Sequence, residues 1–101
     1  MILHGINIPT ERLAAFCRKN GIRRLAFFGS ILRDDFRPDS DIDTLIEFEE
    51  GIRVGLRFIE IQDELSSLLG RPVDLNTPNS LSQYFRQEVL KEAKVLYDQA
   101  G

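Results

Sequence analysis

The apolar run Leu25-Ala26-Phe27-Phe28, which stops abruptly at Gly29-Ser30, limits the possible folds of this chain more than any other feature. A short unbroken apolar run is typical of a strand buried on both faces, so we predict a strand over residues 22–28 with structure on either side of it. Glycine lets the backbone turn sharply, and serine often caps a helix N-terminus. We therefore expect the strand to lead into a short helix over residues 30–35, because Pro38 blocks easy continuation.

The rest of the chain alternates between helix and strand patterns. We predict three longer helices: one begins at Pro9-Thr10, one ends at Gly70, and one follows an N-cap at Ser80. The last of these has Leu81, Phe85 and Val89 on one face. Strands are predicted over 41–49 and 71–75, and residues 93–97 form either an edge strand or an extended tail. The predicted fold class is therefore α/β (α+β): a small mixed β-sheet flanked by helices, in one domain over residues 1–101.

Charge and cysteine content exclude several classes of protein. The formal net charge is −3, so the general attraction that drives binding to nucleic acids is missing and no direct nucleic-acid binding is expected. The chain has one cysteine, Cys17, which cannot form an internal disulfide and lies on the apolar face of a predicted helix as a core residue. No signal peptide pattern and no apolar run of about 20 residues is present, so we expect a cytoplasmic protein without a membrane span.

Two devices suited to phosphate chemistry stand at the two ends of residues 29–43. At the start, the turn at Gly29-Ser30 opens a helix whose free N–H groups can hold an anion. At the end, Asp41 and Asp43 are two positions apart on a predicted strand, so both carboxylates face the same side. Carboxylate oxygens are the ligands that Mg²⁺ prefers, and the segment therefore predicts a magnesium and phosphate site.

Asp74 is a third candidate because it interrupts the apolar third strand between Val73 and Leu75. A buried carboxylate in such surroundings needs a metal or a hydrogen-bond donor. If this strand lies beside the second, Asp74 either binds metal or deprotonates an attacking hydroxyl. The structural alternative is that Asp74 pairs with a nearby arginine such as Arg71.

Together these residues resemble the signature of the polymerase-beta-type nucleotidyltransferase superfamily, in particular its minimal members. The usual form is similar to Phe-Gly-Ser-x-x-Arg-Gly-Asp followed by Ser-Asp-Ile-Asp-Leu. The matching positions are Phe28, Gly29, Ser30, Arg33, Asp35, Ser40, Asp41, Ile42 and Asp43. Two positions depart from it: Asp34 replaces glycine, where we expect aspartate to tolerate a left-handed backbone, and Thr44 replaces an apolar residue, where we expect it to face away from the carboxylates.

The resemblance implies roles for individual residues. Gly29 and Ser30 would contact the phosphates of ATP, and Arg33 would fix the turn or assist with phosphate charge. Asp41 and Asp43 would bind Mg²⁺, and Asp74 would assist the attacking group. ATP would be the substrate and Mg²⁺ the cofactor.

The resemblance also implies a partner, because larger relatives carry an additional domain that holds the acceptor and this sequence shows none. Minimal members typically pair with a helical HEPN-type toxin and act as its antitoxin by moving AMP from ATP onto a toxin tyrosine. A homo-oligomer could also complete the site. The alternative function is a non-catalytic antitoxin or nucleotide-binding module that neutralises its partner by masking it.

One other pattern competes for the same carboxylates. Asp39, Asp41, Asp43 and Glu50 fit four positions of a calcium-binding EF-hand loop, but Thr44 stands where that loop needs glycine and residues 42–46 favour a strand. His4 has no partner motif, and we interpret it as a surface or packing residue.

Overall fold

A computed structural model describes residues 1–100, so only Gly101 of the predicted 1–101 domain lies outside the described residues. The chain begins with a small antiparallel hairpin, β1 (Ile2–Leu3) and β2 (Ile6–Asn7), which the sequence patterns did not predict. Its tip contains His4 at a φ of 50° followed by Gly5. Strands of two residues are too short to produce a detectable alternation of apolar and polar positions.

A four-stranded mixed sheet forms the centre of the molecule. Its strands are β3 (Ile22–Phe28), β4 (Ile42–Phe48), β5 (Val73–Asn76) and β6 (Lys94–Asp98), arranged in the order β5-β4-β3-β6. Strand β4 runs parallel to β5 and antiparallel to β3, and β3 also pairs antiparallel with β6. The mixed sheet is confirmed, and residues 94–98 prove to be an edge strand rather than a tail.

Helices cover the two faces of this sheet unequally. Helix α1 (Thr10–Lys19) and helix α2 (Arg57–Leu69) lie over the larger apolar core on one face, and α2 ends at Gly70 in the left-handed conformation. On the other face, α3 (Gln83–Glu92) packs over a smaller cluster of four buried side chains, Phe28, Leu45, Leu81 and Val89. Because Phe27 belongs to the first core and Phe28 to the second, β3 is buried on both faces, as its apolar run predicts.

Several predicted boundaries are wrong. The helix expected over residues 30–35 is a single turn of 3₁₀ helix, Gly29–Leu32, because Arg33 has already returned to an extended conformation. The N-cap of α3 is Ser82 rather than Ser80, which belongs to a separate 3₁₀ turn. Phe85 is 48% exposed, so Val89 is buried on the inward face of this helix and Phe85 is not.

The two departures from the family signature have different outcomes. Thr44 is fully buried on the face opposite to the carboxylates, and its hydroxyl donates to the Ile42 carbonyl, which confirms its predicted direction. Asp34 does not adopt a left-handed backbone, since His4 is the single non-glycine residue with positive φ among residues 1–100. The turn therefore has no need of glycine at this position.

None of the helices formed by residues 1–100 has the length and apolarity required to cross a membrane.

Candidate active site

Three carboxylates lie at one end of the sheet, on the face that α3 leaves open. Asp43 and Asp74 are direct neighbours on parallel strands, because β4 and β5 pair with Asp43 opposite Asp74. Asp41 lies just before β4, two residues ahead of Asp43 and on the same side of the chain. The structure thus brings together the three aspartates that the sequence singled out.

These carboxylates interact electrostatically. The pKa of Asp43 is raised, first by partial burial of its side chain, then by the negative charges of Asp74 and Asp41, and also by a side-chain hydrogen bond with Asp74. The Arg33 guanidinium acts in the opposite direction and lowers it. The site therefore concentrates more negative charge than its own cations balance.

The environment of Asp74 differs from the predicted one. Its side chain is exposed, whereas Val73 and Leu75 on either side are buried on the opposite face of β5. The prediction of a carboxylate buried among apolar residues is therefore wrong. The proposed ion pair with Arg71 is also wrong, because the Arg71 guanidinium donates instead to the carbonyls of Arg37 and Ser40.

The chemistry of this donor set fits a hard divalent cation such as Mg²⁺. All the donors are carboxylate oxygens, and a cation would relieve the repulsion that raises the pKa of Asp43. Among residues 1–100, however, no three such side chains converge closely enough to form a ready-made metal cage. At least one of the carboxylates must rotate to share an ion with the others.

The turn at Gly29 is fitted to Asp43. Gly29 has a φ of 76°, a conformation that disfavours any side chain, and Phe28 pairs directly with Asp43 across β3 and β4. A Cβ atom at Gly29 would collide with Oδ2 of Asp43. Ser30 is not the N-cap of the 3₁₀ turn, because Phe28 occupies that position and no side chain caps it. Glycine is thus required here by both the backbone and the neighbouring carboxylate.

Substituting Gly29 by alanine is expected to lower stability and to displace Asp43. The left-handed backbone alone costs about 1–2 kcal/mol for a residue with a Cβ, which should lower the melting temperature by at least about 4 °C. Gly51→Ala is the matched control, because Gly51 also has a positive φ, but a Cβ atom added there would meet nothing within 4 Å beyond its chain neighbours. Both variants should lose stability in thermal melts, but calorimetry should show loss of Mg·ATP binding only for Gly29→Ala. Equal ATP binding by the two variants would contradict this account of Gly29.

Arg33 lies between the carboxylates and α3. Its guanidinium is 3.6 Å from the carboxylate of Glu92 and is close enough to Asp43 to influence its pKa. A cavity of about 60 Å³ lies here, with Gly29 and Arg33 on one side and Phe85 and Glu92 on the other. Since the Arg33–Glu92 pair is exposed and long, it contributes little to stability and leaves Arg33 free to contact an anion.

Arg71 is a residue of this region whose position sequence reasoning missed. It precedes β5 and donates to the carbonyls of Arg37 at 3.0 Å and Ser40 at 2.7 Å, and its guanidinium lies 4.8 Å from the centre of the Phe36 ring. These contacts hold the loop that leads into Asp41. Contacts to backbone carbonyls leave no mark in the sequence, so no local pattern could have indicated them.

The remaining candidates have structural roles. Cys17 is buried, and burial raises the pKa of its thiol to about 12, so it is not a nucleophile. The imidazole of His4 donates from Nε2 to the Ile31 carbonyl at 2.9 Å and packs against Phe36, as expected of a packing residue. The EF-hand alternative is wrong, because β4 occupies residues 42–48 in the middle of the required loop.

Comparison with known proteins decides the family. The model of the family described as "Nucleotidyltransferase domain" matches residues 11–96, which include all six candidate site residues. The protein adenylyltransferase MntA of Thermococcus cleftensis is 43% identical over 72 residues, which cover 71% of this chain and 72% of the relative. The chain belongs to the nucleotidyltransferase family.

Solved structures of similar fold agree with this assignment. The nucleotidyltransferase matches a crystal structure of a toxin-antitoxin with AMP-PNP at a TM-score of 0.71 and 24% identity, over 89% of this chain and 73% of that chain. It also matches a structure of a tri-AMPylated HEPN toxin of Shewanella oneidensis in complex with its MNT antitoxin, at a TM-score of 0.63 and 24% identity, over 88% of this chain and 69% of that chain. At these identities the likeness shows the fold, and it confirms the predicted nucleotidyltransferase fold.

Proposed function

We propose that this nucleotidyltransferase transfers AMP from ATP to a hydroxyl group, that of a tyrosine, on a HEPN-type toxin and so acts as its antitoxin. The observation that carries the proposal is the in-register pairing of Asp43 with Asp74 beside the Gly29 turn, with Asp41 two residues away. A cluster of carboxylates next to a tight glycine turn combines cation binding with close approach of a phosphate. The name of the T. cleftensis relative, a protein adenylyltransferase, supports this reaction.

Each site residue has a role in this reaction. Asp41 and Asp43 would hold Mg²⁺, with Asp74 as a further ligand, and the ion would offset negative charge on the phosphates. Gly29 and Ser30 lie against the phosphates of ATP, and Arg33 contacts a phosphate oxygen. We place the reaction in the cytoplasm, where ATP is available.

Transfer requires that a proton leave the acceptor. The hydroxyl oxygen attacks the α-phosphorus, a new bond forms between them, and the bond from the α-phosphorus to the oxygen that bridges to the β-phosphorus breaks. Pyrophosphate leaves, and the hydroxyl proton passes to the carboxylate of Asp74, which is exposed on the open side of the site. The products are an AMP ester of the acceptor and pyrophosphate.

A protein acceptor is supported by the open side of the site. Helix α3 exposes three large apolar side chains, with Tyr84 at 85%, Phe85 at 48% and Leu90 at 45% exposure. Phe85 also lines the cavity next to Gly29 and Arg33. A partner seated on α3 would thus reach the phosphate turn directly, and a solved complex of similar fold contains a HEPN toxin.

The same exposed apolar side chains favour a second candidate function, in which the chain neutralises its partner by masking alone. Pure masking requires neither the carboxylate cluster nor the glycine turn, so it leaves the arrangement of Asp41, Asp43 and Asp74 without a purpose. Transfer therefore accounts for more of the structure.

Labelled ATP tests the reaction type. When the chain is incubated with its HEPN-type partner and Mg²⁺, label at the α-phosphate of ATP should become covalently attached to the partner, whereas label at the γ-phosphate should leave as pyrophosphate. Attachment of γ-label would indicate a kinase instead of a nucleotidyltransferase. Attachment of neither label would rule out covalent transfer to this acceptor.

A further inference from the structure

A second cavity is lined in part by the loop that precedes Asp41. Its volume is about 360 Å³, and its walls are His4 from the hairpin tip, Phe36, Arg37 and Pro38 from the loop, and Arg71 from the start of β5. None of the six candidate site residues lines it. It is therefore distinct from the carboxylate site and from the cavity at Gly29.

The walls of this cavity have a basic character that the chain as a whole lacks. The formal net charge is −3, yet Arg37, Arg71 and His4 all line the cavity, and none of the acidic residues within 1–100 does so. A cavity lined by two arginines and by no carboxylate favours an anion.

The Arg71 guanidinium is held by several contacts, and within residues 1–100 not all of its donors are used. Its Nη2 atom makes both backbone hydrogen bonds, to Arg37 and Ser40, and its guanidinium packs on the Phe36 ring. Within residues 1–100 its Nε atom is buried without an acceptor. Because these contacts already fix the guanidinium, an anion that binds to it does not have to order the side chain first.

The other two basic residues complete the rim. The ring of His4 is fixed by its hydrogen bond to Ile31 and by packing against Phe36 at 4.9 Å between ring centres. Arg37 is anchored through its backbone, since its N–H donates to the Ser40 hydroxyl and its carbonyl accepts from Arg71. The side chain of Arg37 is thus free to close over a ligand while its backbone stays in place.

We infer that this cavity binds a phosphate group, either inorganic phosphate or the phosphate of a nucleoside monophosphate. Two guanidinium groups suit the several oxygens and double charge of a phosphate ligand better than they suit a ligand with a single carboxylate. The inference does not rest on the proposed AMP transfer, because the cavity shares no residue with that site and needs no metal.

Calorimetry without divalent cations tests this site, because EDTA removes the contribution of the carboxylate cluster. Inorganic phosphate and AMP are titrated separately at low ionic strength into the wild-type chain and into Arg37→Gln. This substitution removes one charge and keeps the backbone hydrogen bonds of Arg37. Losing a charge-assisted contact should weaken binding about tenfold. Arg53→Gln is the matched control, since Arg53 is exposed and does not line the cavity.

Binding that is weakened by Arg37→Gln, unchanged by Arg53→Gln and retained by an Asp41→Asn, Asp43→Asn variant supports the site. Tighter binding of AMP than of inorganic phosphate identifies a nucleoside monophosphate as the ligand, and equal binding identifies the free anion. Absence of binding by a folded wild-type chain, or equal weakening by both arginine substitutions, would overturn the inference whether or not the chain transfers AMP.

Discussion

Replacing Asp41 and Asp43 together by asparagine is expected to reduce AMP transfer at least about a thousandfold, because the neutral asparagine side chains lack the charge that holds Mg²⁺. The matched control is Asp34→Asn with Asp39→Asn, which removes the same charge from exposed positions in the same loop. Transfer to the HEPN-type partner, measured with α-labelled ATP, should persist in the control. Transfer by the folded Asp41→Asn, Asp43→Asn variant at the wild-type rate would show that the metal lies elsewhere.

The same variant should not be less stable than the wild type when no metal is added. A carboxyl group whose pKa is raised on folding binds its proton more tightly in the folded state, so its contribution favours folding at low pH and is lost as the pH rises through that pKa. The pKa of Asp43 is raised in this way by burial and by Asp74 and Asp41. Above that pKa, asparagine therefore removes a destabilising charge, and thermal melting checks that any loss of transfer does not reflect unfolding.

Replacing Asp74 by asparagine should reduce transfer by ~100-fold to 10,000-fold, as expected for the loss of a general base, while Mg·ATP binding is affected much less. Because Asp74 is exposed and has no ion pair with Arg71, the substitution should leave the melting temperature nearly unchanged. Asp63→Asn, at an exposed position of α2, is the control. Full transfer by the folded Asp74→Asn variant would exclude the catalytic role, and a large fall in melting temperature would indicate a structural one.

A feature could be predicted from the sequence when the interactions that produce it are local along the chain. The apolar run at residues 25–28 and the alternation around Asp41 and Asp43 reflect local periodicity, and both predicted strands are present. The pairing of Asp43 with Asp74 depends on which strands become neighbours. From the sequence it could be predicted only on the assumption that the third strand lies beside the second. Long-range pairing of this kind is set by the packing of the whole sheet.

The failures have equally specific causes. Apolar neighbours suggested that Asp74 is buried, but in a strand with one open face the residue between two buried ones points outwards. Ser30 has the side chain of a helix cap, yet the turn that follows is too short to use one. The hydrogen bonds from Arg71 to the carbonyls of Arg37 and Ser40 join residues more than 30 positions apart. Every residue offers such a backbone acceptor, so the sequence does not indicate which ones Arg71 contacts.

The position of AMP on the partner is the measurement that tests the proposed function most directly. The HEPN-type partner is incubated with this chain and Mg²⁺, with ATP or with an ATP analogue whose α–β bridging oxygen is replaced by a methylene group that cannot be cleaved. The partner is then examined by intact and tandem mass spectrometry alongside an assay of its toxicity or nuclease activity. With ATP, but not with the analogue, we predict that the mass of the partner increases by AMP units and that these units lie on tyrosine. The AMP-carrying partner should stay neutralised after this chain has been removed. A partner that is neutralised only while this chain is bound, with no AMP on any residue, would contradict the proposal and establish masking as the mechanism.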